Sequence, residues 1–321
     1  MIGRIVAAFL ALAVPAAAPA QDTYPSKPIK LLVPFPPAGG TDSLSRAIAQ
    51  SMSSNTKWVF VVENKPGAGG NIGLDAAAKS PPDGYTIAMG QTSNLAVNPS
   101  LYKTMPFDPL KDFAPVALLS SQPLIIVVDE KAPYKSLAEL VDFAKKNPGK
   151  LNMASAGNGT IGHIGGELFQ RRAGVKFTHV PYKGAGPAVA DIAGGSVEVF
   201  FGNSQSVGGL VNGGRLRPLA VTSPRRLASF PNVPTVAELG YPGFEAATWS
   251  GLVAPAGTPK AIVDRLNAEA NKALASAEMK QKLNEDGSTP YGGTPEEFAE
   301  FIKSENAKWG AAVRDANIKI E

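Results

Sequence analysis

Residues 31–42 read Leu-Leu-Val-Pro-Phe-Pro-Pro-Ala-Gly-Gly-Thr-Asp, and residues 151–160 read Leu-Asn-Met-Ala-Ser-Ala-Gly-Asn-Gly-Thr. Each stretch places a glycine-rich loop between an apolar segment typical of a buried strand and the start of an amphipathic helix. Such a loop directs unpaired backbone N–H groups and the positive end of a helix dipole at one point. Because the loops lie about 120 residues apart, they predict two half-sites that close on one anion.

Apolar and amphipathic segments alternate along the chain. Leu44, Ile48 and Met52 recur at helical spacing. Capping boxes at residues 136–139, 235–238 and 294–297 mark helix starts. The segments that read as buried strands are 29–33, 59–63, 85–89, 124–128, 151–154, 177–180, 197–201 and 216–221. This alternation predicts an α/β fold with mainly parallel sheets.

The C-terminal region is rich in predicted helix and poor in predicted strand. Two long helices are expected at residues 261–276 and 295–316. Helices without a sheet of their own need one to cover, and the N-terminal strands are the natural candidate.

This distribution predicts a discontinuous first domain, residues 24–121 plus 249–321. Residues 122–248 would be inserted into it as the second domain. The two chain crossings, near residues 120–123 and 247–250, would then act as a hinge. A sequential division near residue 125 is the alternative.

The composition excludes several kinds of site. The chain of 321 residues contains no cysteine, which excludes disulfides, zinc–thiolate sites, thiol catalysis and a lipidated cysteine anchor. Its formal net charge is +4 and it has no run of Lys or Arg, so nucleic acid is not an expected partner. A chain of about 300 residues buries roughly three-quarters of its surface without disulfides, and it favours two domains.

The N-terminus reads as an export signal. Residues 1–4 form a short basic start, residues 5–14 are apolar, and Ala18-Pro19-Ala20 fits a cleavage site before Gln21. We therefore expect a signal peptide, residues 1–20, cleaved after Ala20, and a periplasmic mature chain. The alternative is a buried N-terminal helix. The apolar run is too short to span a bilayer, and no later segment reaches about 18 consecutive apolar residues.

The second loop formally matches a dinucleotide fingerprint. Gly157, Gly159 and Gly162 give Gly-x-Gly-x-x-Gly after a predicted strand. That fingerprint expects an acidic residue at the end of the next strand, about 20 positions on. Here residues 177–180 are followed by Pro-Tyr-Lys at 181–183. This departure disfavours a Rossmann dehydrogenase, and no cofactor is expected.

An exported serine-type hydrolase is the alternative function. The chain has two histidines, His163 and His179, and Ser155 lies eight residues before His163. No Gly-x-Ser-x-Gly elbow is present, and nothing marks an orienting carboxylate or an oxyanion partner for a Ser155/His163 pair. Metal binding is disfavoured, because the histidines lie on different elements without an Asp/Glu cluster.

An anion site fits the two loops better. Residues 34–41 and 153–164 include no Lys or Arg. A bound anion would therefore be held by backbone N–H groups, by the hydroxyls of Thr41, Ser155 and Thr160, and by ordered water. The alternative is that both loops are ordinary strand–helix turns.

Three further residues each have two interpretations. Asp42 either stabilises the start of its helix or accepts a hydrogen bond from a proton-bearing group of the ligand. Phe35 and Trp249 are either apolar walls of the pocket or ordinary core residues.

A set of motifs covers nearly the whole chain after the N-terminal segment. They are Tyr24-Pro25-Ser26-Lys27-Pro28-Ile29, Val33-Pro34-Phe35, Gly39-Gly40-Thr41-Asp42, residues 62–73, Asp83-Gly84-Tyr85, residues 157–160, His163, and residues 166–169, 180–184, 219–223, 233–236 and 252–259. In combination they resemble the receptors of the tripartite tricarboxylate transporters, often called Bug receptors, which are TctC-like periplasmic solute-binding proteins.

The resemblance implies a two-domain periplasmic-binding-protein (Venus-flytrap) fold with mixed, mainly parallel sheets and two interdomain crossings. It also implies a monomeric, non-catalytic receptor that captures a small organic mono- or dicarboxylate, aliphatic or aromatic. The receptor would deliver this ligand to a permease with a large and a small membrane subunit. The ligand-binding residues predicted in this way are Phe35, Ala38, Gly39, Gly40, Thr41, Asp42, Gln91, Ser93, Ser155, Ala156, Gly157, Asn158, Gly159, Thr160, His163 and Asn203.

The chain departs from the family pattern at one turn. Many relatives carry Phe-Asp-Asn where this chain has Phe201-Gly202-Asn203. Loss of the acid disfavours recognition of an amino group and favours a plain mono- or dicarboxylate. Lys183 either meets a distal carboxylate of the ligand or is a solvated surface lysine.

Overall fold

The computed structural model describes residues 24–285, 287–315 and 318. The predicted signal peptide, residues 1–20 with cleavage after Ala20, lies outside the described residues. Within them, no helix combines the length and the apolar character needed to cross a bilayer. The strands in chain order are β1 (Ile29–Val33), β2 (Phe60–Asn64), β3 (Thr86–Gln91), β4 (Phe113–Asp129), β5 (Asn152–Ser155), β6 (Thr178–Pro181), β7 (Val199–Asn203), β8 (Leu216–Val221), β9 (Ala247–Pro255) and β10 (Thr289–Pro290).

Helices separate most of these strands. They are α1 (Gly40–Thr56), α2 (Asn71–Ala78), α3 (Asn98–Leu101), α4 (Leu137–Lys146), α5 (Ile161–Ala173), α6 (Ala185–Ala193), α7 (Ser204–Asn212), α8 (Lys260–Ala275), α9 (Ala277–Glu285) and α10 (Pro295–Asp315). A short 3₁₀ turn, Ala68–Gly70, precedes α2, and a π-helical turn, Ser93–Val97, precedes α3. The predicted C-terminal helices correspond to α8 and α10, while α9 was not predicted.

The strands form two sections joined by β4. In the first section β1 pairs in parallel with β2 and β3, β3 pairs antiparallel with β9, and β9 pairs antiparallel with β4. In the second section β5 pairs in parallel with β6 and β7, and β4 pairs antiparallel with β7 and β8. Within β4, Pro123 still pairs with β9 and Leu124 pairs with β7, so the strand passes from one section to the other at this point.

Antiparallel pairing is more extensive than the sequence predicts. The parallel pairs belong to the βα units, where local periodicity is informative. The antiparallel pairs come from β4 and β9, and β4 runs for 17 residues although only residues 124–128 were predicted as strand. β9 was not predicted. The fold is nevertheless α/β with a mixed sheet, as expected.

Helices α1 and α8 pack on the first section. Ile29 and Leu31 of β1 share a buried cluster with Ile48 of α1 and with Val263 and Leu266 of α8. This burial explains the apolar spacing of both helices, because each presents one apolar stripe to the sheet.

Trp249 anchors α10 to β9. Its ring packs edge-on against Phe298 and Phe301, and the residue is 2% exposed. Glu305 accepts hydrogen bonds from the indole N–H groups of both Trp249 and Trp309, each at 2.9 Å. Trp249 is therefore a core residue, and the interpretation of Trp249 as an apolar wall of the pocket is wrong.

Candidate functional site

A cavity of about 120 Å³ lies between the two sections, at the ends of β1, β3, β5 and β7. Nine of the predicted ligand-binding residues line it: Phe35, Gly39, Gly40, Thr41, Gln91, Ser93, Ala156, Thr160 and Asn203. Residues of both glycine-rich loops therefore face one space. The lining also includes residues that were not predicted to bind ligand, among them Pro36, Ile161, Gly184, Phe200, Ser206 and Thr248.

The N-termini of four helices meet at this cavity. The residues that precede α1, α5, α6 and α7 are Gly39, Thr160, Gly184 and Asn203, and all four line the cavity. None of the four helices has a side-chain cap on its first N–H groups. The N-cap side chains therefore take none of the first N–H groups of these helices, and four helix dipoles favour an anion at this place.

Helices elsewhere in the chain show how a capped start differs. Ser136 accepts a hydrogen bond from the backbone N–H of Glu139 at the start of α4. At α10, Thr294 and Glu297 each accept a hydrogen bond from the other's backbone N–H, which is a complete capping box. The start of α8 also lacks a side-chain cap. A missing cap therefore does not by itself indicate an anion site, and the indication here is that four such helices begin at one cavity.

The cavity has little side-chain charge. Of the described residues that line it, Lys183 alone carries a formal charge, and its side chain is exposed. The remaining polar groups are hydroxyls and amides, and the walls include Phe35, Phe200 and Phe201. An anion here would be held by main-chain and neutral polar donors.

Gln91, the last residue of β3, and Ser93 contribute polar side chains to the cavity lining. The Gln91 side-chain amide donates to Thr41 Oγ1 at 2.6 Å and to Ser250 Oγ at 3.2 Å. Ser93 is 3% exposed and its hydroxyl has no hydrogen-bond partner among the described residues. It begins the π-helical turn, a rare backbone geometry that recurs at functional sites.

Asn203 belongs to a chain of amides at the junction of the two sections. Its Nδ2 donates to Gln122 Oε1, and its Oδ1 accepts from the Thr248 hydroxyl, each at 3.3 Å. Gln122 Nε2 in turn donates to Gln205 Oε1 at 3.1 Å. These contacts join β4 and β9 to the start of α7.

Seven predicted residues do not line this cavity: Ala38, Asp42, Ser155, Gly157, Asn158, Gly159 and His163. Gly157 and Asn158 instead line a second cavity of about 480 Å³. The two cavities share Phe35, Pro36 and Gly184 among their lining residues. A methyl group added at Gly184 would lie 3.0 Å from Cγ of Pro36, so these two residues pack closely where the cavities adjoin.

Asp42 holds its own loop together. The residue is 4% exposed, and its carboxylate accepts hydrogen bonds from the Ala38 backbone N–H, the Arg46 guanidinium and the Asn64 amide, at 2.9–3.0 Å. Burial alone would raise the pKa of Asp42, but the hydrogen bonds from Arg46, Asn64 and Ala38 outweigh it and leave the pKa below its ordinary value. The carboxylate fixes the loop rather than facing the cavity.

Ser155 pairs with His179, not with His163. Ser155 Oγ and His179 Nε2 lie 2.7 Å apart, and the rings of His179 and His163 are stacked with centroids 4.0 Å apart. His163 Nδ1 accepts a hydrogen bond from the Gly159 backbone N–H. Burial lowers the pKa of His179 to about 4, and burial with the neighbouring His179 lowers that of His163 to about 3. The predicted Ser155/His163 pair is therefore wrong, and both imidazoles are neutral near pH 7.

The structure gives no indication of a metal centre in its described part, where no group of three or more His, Cys, Asp or Glu side chains is placed to hold an ion. The site is thus a partly open cavity with four helix N-termini around it and apolar walls. Such a cavity can bind and orient a small anion.

Residues 44–318 match the family described as "Tripartite tricarboxylate transporter family receptor". The chain belongs to this family. Its receptors are periplasmic solute-binding proteins. The resemblance expected from the sequence motifs is confirmed.

Individual relatives and solved structures agree with the family. Protein BugT of Bordetella pertussis is 40% identical over 318 residues, which covers 99% of this chain and 98% of BugT. The structure of R. palustris Rpa4515 with adipate superposes with a TM-score of 0.89 at 38% identity, covering 92% of this chain and 99% of that one. MatC (Rpa3494) of Rhodopseudomonas palustris with bound malate gives a TM-score of 0.86 at 30% identity, covering 90% and 100%.

These neighbours fix the architecture of this receptor. The chain has the two-lobed α/β fold of periplasmic binding proteins. At the start of α7 the sequence predicted Asn203, but it missed the contribution of α6 to the cavity. A signal was nevertheless present, because Gly184 precedes a helix and cannot cap it with a side chain.

Proposed function

We propose that this receptor captures a small organic carboxylate in the cavity of about 120 Å³ and delivers it to a permease with a large and a small membrane subunit. The observation that carries the proposal is the meeting of four uncapped helix N-termini at one cavity. The adipate and malate in the two related structures support the ligand class.

We further propose that the two sheet sections are the two lobes, residues 24–121 plus 249–321 and residues 122–248. The support is the path of β4, which passes between the sections at Pro123, beside Ala247 at the start of β9. Two adjacent crossings of this kind allow the lobes to rotate about a short hinge. The cavity lies between the sections, so rotation would open and close it.

The ligand carboxylate would be held by the main chain of the first residues of α1 and α5, with Thr41 and Thr160. Hydrogen bonds to a charged group contribute about 1.5–3 kcal/mol each. A micromolar complex requires about 8 kcal/mol. Four or five such contacts are therefore sufficient if the loops are already ordered, and the hydrogen bonds to Asp42 order the first loop.

The starts of α6 and α7 would face the rest of the ligand. A second carboxylate suits this end, where Gly184 and Asn203 precede helices without side-chain caps and Lys183 lies at the edge. The absence of an acidic side chain from the described lining disfavours a ligand amino group. A mono- or dicarboxylate is the ligand class that fits.

The receptor is proposed to have no enzymatic activity. Ser155 is fully buried, does not line the cavity, and binds a histidine whose other neighbour is a second imidazole rather than an orienting carboxylate. Export through a signal peptide cleaved after Ala20 and a monomeric state complete the proposal. Nucleic acid, cofactors and metals have no role in it.

The experiment is a thermal-shift and calorimetric screen of dialysed protein against adipate, malate and other small mono- and dicarboxylates. At least one acid should raise the melting temperature with concentration, as expected for a ligand that binds the folded state. Dimethyl adipate is the matched control, because it keeps the carbon skeleton without the charges and should not bind. Contradiction would come from a panel in which no acid stabilises the protein. Consumption of dimethyl adipate that disappears in Ser155→Ala would instead support the hydrolase.

A further inference from the structure

One contact between the two sections lies outside the binding cavity. Asn98, at the start of α3 in the first section, faces Gly159 of the loop before α5 in the second section. Neither residue lines the cavity. Asn98 has no role in the proposed binding of the carboxylate, and Gly159 need not touch the ligand.

The orientation of Asn98 is fixed by its neighbours. The residue is fully buried, and its Nδ2 donates to Asn71 Oδ1 at 2.8 Å and to the Gly69 carbonyl at 3.2 Å. These bonds settle which end of the amide is oxygen. The Asn98 Oδ1 therefore points to the other section, where it has no hydrogen-bond donor among the described residues.

Gly159 leaves no space for a side chain at this contact. A methyl group there would lie 2.5 Å from Asn98 Oδ1, and 3.3 Å from both Leu101 Cδ2 and Tyr102 Cε2. All three atoms belong to the first section, so the obstruction arises only when the sections are together. The backbone at Gly159 has φ +77°, which also favours glycine.

Gly69 and Asn158 form a second close contact between the two sections. A methyl group at Gly69 would lie 3.0 Å from the Asn158 carbonyl oxygen, which belongs to the opposite section. Gly69 lies in the Pro66-Gly67-Ala68-Gly69-Gly70 stretch, a family motif to which the binding site gives no role. The two contacts join the same loop of the second section to the same region of the first.

We infer that Asn98 and Gly159 form a closure contact, a pair of positioning residues that sets how far the lobes close and so brings the α1 and α5 N-termini together on the ligand. This inference rests on the proposed function. It predicts that a small side chain at residue 159 prevents full closure without occupying the ligand's space.

The test compares Gly159→Ala with Gly149→Ala. Gly149 has nearly the same φ, +75°, and a methyl group there meets nothing closer than 4.0 Å. Both variants therefore place a side chain at a positive φ, and only Gly159→Ala carries the obstruction. Because the natural chain has no cysteine, spin labels on Lys103→Cys and Lys176→Cys report the distance between exposed sites of the two sections.

In the parent and in Gly149→Ala, the distance distribution should contain a short-distance population that grows with adipate. In Gly159→Ala this population should be lost, with adipate affinity at least tenfold weaker than in Gly149→Ala. Adding Asn98→Ala to Gly159→Ala should restore part of the short-distance population, because Asn98 Oδ1, the nearest obstructing atom, is removed.

Two results would overturn the inference: equal short-distance populations in Gly159→Ala and Gly149→Ala, or no rescue by Asn98→Ala. If the short-distance population of the parent protein does not change when any carboxylate of the panel is added, the proposed function is contradicted instead.

Discussion

Ser155 Oγ and His179 Nε2 lie 2.7 Å apart in a cluster that includes the stacked ring of His163; Ser155 and His163 are buried and His179 is partly buried. A serine hydroxyl at this distance from an imidazole is the geometry of an activated nucleophile. Here the serine is fully buried, and burial holds the pKa of both histidines far below the ordinary value of about 6.5. The cluster therefore fixes the second loop, and its measurable consequence is the stability of the protein in acid.

The two stacked histidines, His163 buried and His179 partly buried, should make the protein less stable as the pH falls from 7 to 5. The unfolded chain binds protons below about pH 6.5, whereas the folded chain does not until the pKa values of about 4 for His179 and about 3 for His163. Stability is thus full above pH 7 and lost progressively below it, by about 2 kcal/mol per histidine at pH 5.

Urea unfolding at pH 7 and pH 5 measures this loss. In His179→Asn, which keeps a polar partner for Ser155, the loss between the two pH values should be smaller than in the parent by about 2 kcal/mol. A variant that loses as much stability as the parent on acidification would show that His179 does not remain neutral in the folded state.

Asp42→Asn should destabilise the protein by about 2 kcal/mol at neutral pH, because the carboxylate accepts three hydrogen bonds, one of them from Arg46. The folded-state pKa is depressed, so this contribution is present above the ordinary Asp pKa of about 3.9 and is lost as the pH falls through the folded value. Asp264→Asn is the control, because its pair with Lys260 is exposed and should change stability by less than about 0.5 kcal/mol. Equal unfolding free energies for the two variants would refute the structural role of Asp42.

Ser93→Ala should separate stability from binding. The Ser93 hydroxyl is buried without a partner among the described residues and lines the cavity, so its removal should leave the free protein unchanged or up to about 1 kcal/mol more stable. Affinity for adipate should fall about tenfold, because the hydroxyl serves the ligand.

Ser120→Ala is the matched control for this pair of effects. Its hydroxyl is also buried and without a partner among the described residues, but it does not line the cavity. It should reproduce the stability effect without the loss of affinity, as read by calorimetry and thermal melting. Equal affinities for Ser93→Ala and Ser120→Ala would count against a ligand contact at Ser93.

Glu305→Ala should destabilise the protein by about 3 kcal/mol, because its carboxylate accepts hydrogen bonds from the buried indoles of Trp249 and Trp309. Glu305→Gln keeps an acceptor and should cost about half as much. Chemical unfolding followed by tryptophan fluorescence reports both the stability and the environment of these rings. Unchanged stability in Glu305→Ala would mean that α10 is held to β9 by apolar packing alone.

The sequence predicts the βα units of this fold well and the long antiparallel strands poorly. A strand–loop–helix unit such as β5 with α5 is encoded by neighbouring residues, whose periodicity and glycines are visible in order. β9 pairs with β4 across more than a hundred residues of sequence. Its apolar run carries no local signal for that partner, so the sequence shows neither the strand nor its pairing.

The difference between local and long-range signals also explains which residues of the site could be predicted from the sequence. Thr41 and Thr160 were found because each follows a glycine-rich loop, which is a local signal. His163 was paired with Ser155 because it is nearer in sequence, but the register of β5 with β6 brings His179 to the serine instead. The convergence of the α6 and α7 starts on the cavity likewise depends on strand order, which composition and spacing do not reveal.

The most direct measurement is the crystal structure of the protein with bound adipate, or with whichever acid of the panel binds most tightly. We expect one carboxylate within about 3.2 Å of main-chain nitrogens at the starts of α1 and α5, or joined to them through one ordered water. An acid with no carboxylate at those nitrogens, held by Lys183 Nζ alone or lying outside the cavity, would contradict this account of the receptor.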